Sequence, residues 1–218
     1  MGALNTLVTS YTTVLRPHSE RMNTSLIRLC ATTTDALLAA SETSLVSILH
    51  CGSVKSLVAA TLSSSSTGGG ANSESDPKDV SGWVKLVASA LSTGHSLLNT
   101  IFSSLEEDRS RSRKIKAEQV WQPMLEGLDL SVAKLALASR RFQSVVRILA
   151  HALLDGGAAS FQPIPVDALF ALITRVLSLT AQTEDANHAD PIRAIEVRLA
   201  LPQLHASVAR LAESVVLW

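Results

Sequence analysis

Six histidines, two cysteines and one dense run of charge are the residues of this chain whose types and spacing invite chemistry. His151 and Asp155 stand four apart, which on a helix puts both side chains on one face, where they could share a metal ion. A zinc site takes three or four protein ligands. No sequence neighbour completes this one, so the pair reads more simply as polar groups near a helix end. His95 lies on an apolar stripe between Leu91 and Leu98 and reads as a packed core histidine with one backbone or solvent partner. His18, His50, His188 and His205 are scattered without a ligand-like spacing. Cys30 and Cys51 both fall in helical patterns, where cysteine behaves as a small hydrophobe. No adjacent cation favours either thiolate, so neither reads as a nucleophile. Gly68-Gly69-Gly70 has the composition of a phosphate loop but lacks both a preceding strand and a following Lys-Ser/Thr. Gly-x-Ser-x-Gly, Gly-x-Gly-x-x-Gly and His-Glu-x-x-His are absent as well. The expectation is a non-enzyme with no catalytic, cofactor-binding or metal-binding residue and no cofactor.

The charge run goes from Glu106-Glu107-Asp108 to Arg109, Arg111, Arg113, Lys114 and Lys116. Acid followed by base across a junction between helices compensates itself and reads first as a solvated loop. Its functional alternative is a contact with RNA phosphates or with an import receptor, carried by those five cations. The alternating Arg and Ser also offer phosphorylatable serines. Asn23-Thr24-Ser25 is a glycosylation sequon with no secretory signal beside it. Leu169-Phe170-Ala171-Leu172-Ile173 approaches a Leu-x-x-Leu-Leu docking box, misses it at the last residue and reads as a core stripe.

Composition narrows the classes further. The 218 residues carry 19 Lys+Arg against 19 Asp+Glu, a formal net charge of zero, with 46% hydrophobic, 17% charged and 4% aromatic residues. That charge fraction is below the roughly 25% of ordinary soluble domains. It excludes a strongly basic nucleic-acid binder and an acidic disordered tail. No apolar run approaches the ~18 residues of a membrane span, so no membrane partner is expected. Met1 to Tyr11 is apolar but has neither a basic leading region nor a small-residue cleavage site.

These residues must be positioned by helices. Apolar residues at Trp83, Leu86, Val87, Ala90, Leu91, Leu97, Leu98, Ile101, Phe102 and Leu105 recur in steps of three and four. The same spacing runs through Val132, Leu135, Phe142, Val145, Val146, Leu149 and Leu153, and through Val166, Leu169, Phe170, Ile173, Val176 and Leu177. Nothing alternates like a strand. Pro17 follows an opening helix, and further helices are predicted over about 19–40, 41–62 (started by Ser41-Glu42), 80–107 and 119–154. Gly156-Gly157 should end the last of these. Pro165 should open the next helix from its first turn, and Asp190-Pro191 should supply a cap and a first helical residue. Residues 63–77, rich in Ser and Gly, read as a linker. The predicted organisation is helical hairpins over 1–62, a flexible linker over 63–79 and a helical-repeat segment over 80–218. The predicted class is all-α, an armadillo/HEAT-like α-solenoid of antiparallel helix pairs.

Three landmarks stand in a suggestive order. Trp83-Val84-Lys85-Leu86 leads a helix through His95-Ser96-Leu97-Leu98 to Ile101-Phe102. Phe142 through Leu149-Ala150-His151-Ala152-Leu153-Leu154 follows. Then come Pro163-Ile164-Pro165-Val166, Leu169, Leu172-Ile173, Arg175 and Leu177-Ser178. This order, with Leu15-Arg16-Pro17-His18 as an Arg-Pro turn, resembles the middle of the proline-, glutamic acid- and leucine-rich protein family, the pre-rRNA-processing RIX-type subunits. Ile164 departs from the valine of the family pattern, and strict Leu-x-x-Leu-Leu boxes are lacking, so nuclear-receptor coregulation is not carried over.

The resemblance implies a non-enzymatic scaffold in the nucleus (nucleolus and nucleoplasm), and a chain that is part of a longer solenoid. Its implied partners are a WD-repeat propeller subunit and a second helical-repeat subunit. Its implied task is internal transcribed spacer processing and maturation of the large ribosomal subunit. Neutral charge fits contact with the pre-ribosomal particle through protein, with RNA reached mostly through partners. A homodimer is compatible with the same reading. Two other readings are a generic helical-repeat adaptor in trafficking or transport, and an enzyme with an unrecognised helical site at His151 and Asp155.

Overall fold

Helices answer the three- and four-residue spacing throughout the part of the chain that the structure describes. The computed structural model describes residues 15–32, 37–48, 82–105, 121–128, 132–156, 165–185 and 190–218, together with Thr6 and Ser10. After a 3₁₀ turn at Arg16–His18 come α1 (Ser19–Thr32), α2 (37–48) and α3 (Gly82–Ile101), the last tightening into a 3₁₀ turn at Phe102–Ser104. The four-residue α4 (Gln122–Leu125), α5 (Val132–Gly156), α6 (Val166–Leu177) and α7 (Pro191–Leu217) complete the set. Among the described residues the only β pairing is an isolated antiparallel bridge between Leu105 and Asp185. The fold is all-α.

Sequence punctuation explains most of the boundaries. Asp190 caps α7, its Oδ1 accepting from the Ile192 amide at 2.9 Å, and Pro191 occupies the first turn, where a missing N–H costs nothing. Pro165 stands immediately before α6, and α5 stops at Gly156. Two boundaries differ from expectation. The helix predicted over 119–154 is two helices, because the chain turns after α4 at Gly127, whose φ of 68° is the left-handed conformation that closes a helix and favours glycine. Lys134 fixes that turn by donating Nζ to the Gly127 carbonyl at 2.7 Å. Ser41 and Glu42 do not start a helix but lie within α2, where Ser41 Oγ donates to the Leu37 carbonyl at 2.7 Å.

Four long helices close a ring. α3 packs on α5, α5 on α7, α7 on α6, and α6 back on α3. Where α3 and α6 touch they progress in the same sense. Leu172 lies over Gly94, and Arg175, three residues on, reaches His95 and Asn99. α5 carries the widest buried face, with Leu135, Ala138, Phe142, Val145, Val146, Ile148, Leu149, Ala152 and Leu153 all enclosed. That width follows from its neighbours, since it packs against α3, α7 and α1 and bonds to α2. Among the described residues Phe102 and Phe142 are the largest fully enclosed side chains, each worth about 1.5–3 kcal/mol of burial. α7 is different: Ala194, Val197, Leu201, Leu204, Val208 and Leu211 form a narrow seam in alternating steps of three and four. Off this seam Ile192, Ile195 and Leu199 are exposed, while Arg193 is buried. No described helix is long and apolar enough to cross a membrane.

Candidate functional site

The polar residues that the fold buries cluster where helices meet. On α2 the inward stripe of Leu38, Leu45, Val46 and Ile48 is interrupted by Glu42, which is only 1% exposed. Its carboxylate is fully engaged. Arg147 on α5 donates Nε to Oε2 and a terminal nitrogen to Oε1, both at 2.9 Å, while Ser144 Oγ donates to Oε1 at 2.6 Å. Such a bidentate fork fixes register as well as charge. Cys30 on α1 lies beside this cluster, and its thiol is pushed up to about 12, first by burial and then by the Glu42 charge. Ser144 and Arg147 pull in the other direction and lose. A thiol held protonated in this way packs as a small buried hydrophobe.

Arg141, one turn before Ser144 on α5, performs a second kind of pinning. Its Nε donates to the Ala31 carbonyl at 3.2 Å, and one terminal nitrogen donates to the Met124 and Glu126 carbonyls at 2.9 and 2.7 Å. These are carbonyls at the ends of α1 and α4, which have no partner inside their own helices and carry the negative end of the helix dipole. Burial lowers the pKa of this guanidinium and the Glu126 carboxylate opposes the shift. The device recurs. Arg193 on α7 donates to the Thr100 carbonyl at the end of α3, at 2.6 Å, and His205 Nε2 donates to the Val176 carbonyl at the end of α6, at 3.1 Å. Arg175 on α6 spans the His95 carbonyl at 3.1 Å and Asn99 Oδ1 at 2.7 Å on α3. Arg198 ties α7 to the loop before it through the Thr183 carbonyl and Asp185.

An open groove of about 450 Å³ lies between α5 and α7, with Leu38 of α2 and Leu135 on its floor. Arg140 and Gln143 stand on the α5 wall, and Glu196, Leu199 and Gln203 on the α7 wall. Ser139 also lines it, with a buried Oγ that has no hydrogen-bond partner. Arg147 projects there too, already paired with Glu42.

The sequence candidates are distributed as follows. His95 is half-buried among the core residues of α3, as expected, and its Nδ1 faces Arg175 at 3.3 Å, so its partner comes from another helix. Cys30 is buried. His151 is exposed on α5, and Asp155 stands one turn further along the same helix. Leu169, Leu172 and Ile173 are enclosed, in keeping with a core stripe, but Val166, Phe170 and Leu177 face outward, because the buried side of α6 is narrower than the predicted one. Arg109, Arg111, Arg113, Lys114 and Lys116 lie outside the described residues, as do Cys51, Gly68 to Gly70 and the 63–77 linker. Among the described residues no three of His, Cys, Asp or Glu gather as a metal would require. Glu42, Arg141 and Arg193 are site residues that the sequence motifs do not single out. The available signal is a charge at a stripe position, such as Glu42 between Leu38 and Leu45. No protein-family model, curated protein or solved structure matches this chain.

Proposed function

We propose that the chain is a non-enzymatic protein-binding scaffold, and that its assembly is a nuclear complex maturing the large ribosomal subunit. The observation that carries the scaffold reading is how the buried charge is used. Arg141, Arg147, Arg175 and Arg193 each end on a carbonyl or a carboxylate of another helix or turn. Charge spent in this way fixes the shape of a surface instead of converging on a reacting atom. The solenoid form belongs to the same proposal: further antiparallel helix pairs would extend the array.

The ribosomal assignment rests on the resemblance to the proline-, glutamic acid- and leucine-rich family. What supports it is that two family-like segments lie against each other here. Arg175 of the Pro163 to Ser178 segment reaches His95 and Asn99 of the Trp83 to Phe102 segment. WD-repeat propeller and helical-repeat subunits are the proposed partners, with RNA contacted mainly through them. Affinity purification of the tagged chain tests both levels. Pre-ribosomal particles and those two subunits should co-purify, and depletion should accumulate spacer-containing precursor RNA. Partners confined to trafficking, with normal RNA processing, would replace the assignment with an adaptor role.

A further inference from the structure

Ser139 departs from the habit of most helix hydroxyls in this protein. Ser41, Thr43, Thr93, Ser96, Ser207 and Ser214 each donate to the carbonyl four residues earlier. Ser139 on α5 is 7% exposed, and among the described residues its Oγ has no hydrogen-bond partner. A buried hydroxyl left in this way weakens a fold unless something else uses it. Ser139 lines the groove of about 450 Å³ between α5 and α7, a volume within the range of ligand sites. The two walls differ in sign. Arg140 stands on the α5 wall and Glu196 on the α7 wall, and among the described residues neither has an ion-pair partner. Gln143 and Gln203, one from each wall, bring side-chain amides that make no hydrogen bond among the described residues.

We propose that this groove holds an extended peptide segment of a protein partner, one that carries an acidic and a basic side chain. The polar lining decides the class. Glutamine amides and a serine hydroxyl both donate and accept, which is what unpaired peptide N–H and C=O groups require. A helical partner offers no such groups along its length, because its backbone is bonded internally. The α5 lining runs from Leu135 to Arg147, about 18 Å at ~1.5 Å per residue. About five extended residues cover that length at ~3.3 Å each. Successive side chains of an extended segment point to opposite sides. An acid facing Arg140 and a base facing Glu196 therefore stand an odd number of residues apart. Leu199, 74% exposed and nearly one turn beyond Glu196, gives the α7 side an apolar contact. Walls of opposite charge select such a segment over one of a single sign. The inference rests on the protein-binding reading above and not on the ribosomal assignment.

A random phage-displayed peptide library selected on the purified full chain, followed by fluorescence anisotropy of the enriched peptide, tests the site. Enriched sequences should share an acid and a base at an odd separation. Arg140→Glu and Glu196→Arg should each raise Kd about tenfold or more. Exchanging the acid and base of the peptide should recover affinity for the doubly reversed chain. Ser139→Ala gives a readout that a merely structural serine would not. It should raise the Tm of the free chain, because a partnerless buried hydroxyl is gone, and yet weaken peptide binding several-fold. Three results overturn the inference: a library that enriches no such charge pair, affinities indifferent to Arg140→Glu and Glu196→Arg, or a Ser139→Ala chain that binds as the parent does. A second copy filling the groove would overturn it too, and would show in sedimentation as a dimer that no peptide enters. Co-purification of partners with the parent chain reads the scaffold proposal separately, so a groove that takes no peptide fails alone.

Discussion

Glu42 and Arg147 are joined by two 2.9 Å hydrogen bonds across a sequence separation of 105 residues, yet their surroundings are unequal. The Glu42 side chain is 2% exposed and that of Arg147 38%. The pair is thus a buried carboxylate served by a cation that still touches water. Unequal burial predicts unequal mutants. Arg147→Met strands a charge inside the protein and should cost about 3–5 kcal/mol. Glu42→Gln leaves a guanidinium free to turn outward, and should cost about 1–2 kcal/mol. Urea denaturation of the two variants measures the order; equal losses, or a larger loss for Glu42→Gln, would contradict it.

Cys30 sits next to that pair and supplies a chemical readout of it. In a Cys51→Ser background a maleimide at neutral pH should leave Cys30 unlabelled in the native protein and label it fully in denaturant. Alkaline pH gives the second signal. The folded thiol, pushed up to about 12 from 9.0, keeps its proton where the unfolded thiol has lost it. Its contribution to stability is therefore complete below pH 9.0 and declines as pH rises from 9.0 towards 12. Cys30→Ala should show a shallower decline of stability over that window than the parent, whatever its stability at neutral pH.

Helix content was legible in the sequence because apolar spacing reports a buried face directly, and Asp190-Pro191 was legible because a cap is local chemistry. The break at Gly127 was not. A lone glycine inside a helical pattern is usually tolerated, and only the conformation of its backbone shows that the chain turns there. The polar pins escaped for another reason. Glu42 meets Arg147, and Arg141 meets Ala31, across more than a hundred residues, and no local pattern encodes which distant partner a buried charge will find. The exposed positions Ile192, Ile195 and Leu199 of α7 were hidden because they and the buried seam share the three-four spacing, so the sequence alone does not say which of the two is enclosed.

Gly94 shows a tight passage between helices. A methyl group there would lie 3.4 Å from Leu172 Cδ1 and 3.7 Å from Val145 Cγ1, ordinary contact distances at the junction of α3, α5 and α6. Gly94→Ala should accordingly fit and stabilise by about 0.5–1 kcal/mol, since alanine loses less backbone freedom in a helix. Gly94→Leu has no such room and should destabilise by about 1–3 kcal/mol or more through overpacking. Thermal melts of both variants decide the matter, and a destabilised alanine variant would mean that Leu172 cannot yield.

Arg141 is the residue whose loss should be felt most widely, because three carbonyls from two separate segments end on one guanidinium. Ala31 closes α1, Met124 belongs to α4, and Glu126 begins the Gly127 turn. Removing the side chain leaves carbonyls in a buried site without donors, and each such group costs about 1–3 kcal/mol. Water entering the vacated space would recover part of that, so about 3–5 kcal/mol is expected for Arg141→Ala. Lysine should rescue little. Its ammonium is a single point of charge, whereas the bonds here leave from two different nitrogens of a planar fork. Hydrogen exchange distinguishes a lost pin from a general loss of stability. In Arg141→Lys, amides of α1 and of the α4–Gly127 turn should lose protection, while those of α6 and α7, pinned by Arg175, Arg193 and His205, keep theirs. Uniform loss across all helices would show that Arg141 only adds to a global stability and does not hold these segments in place.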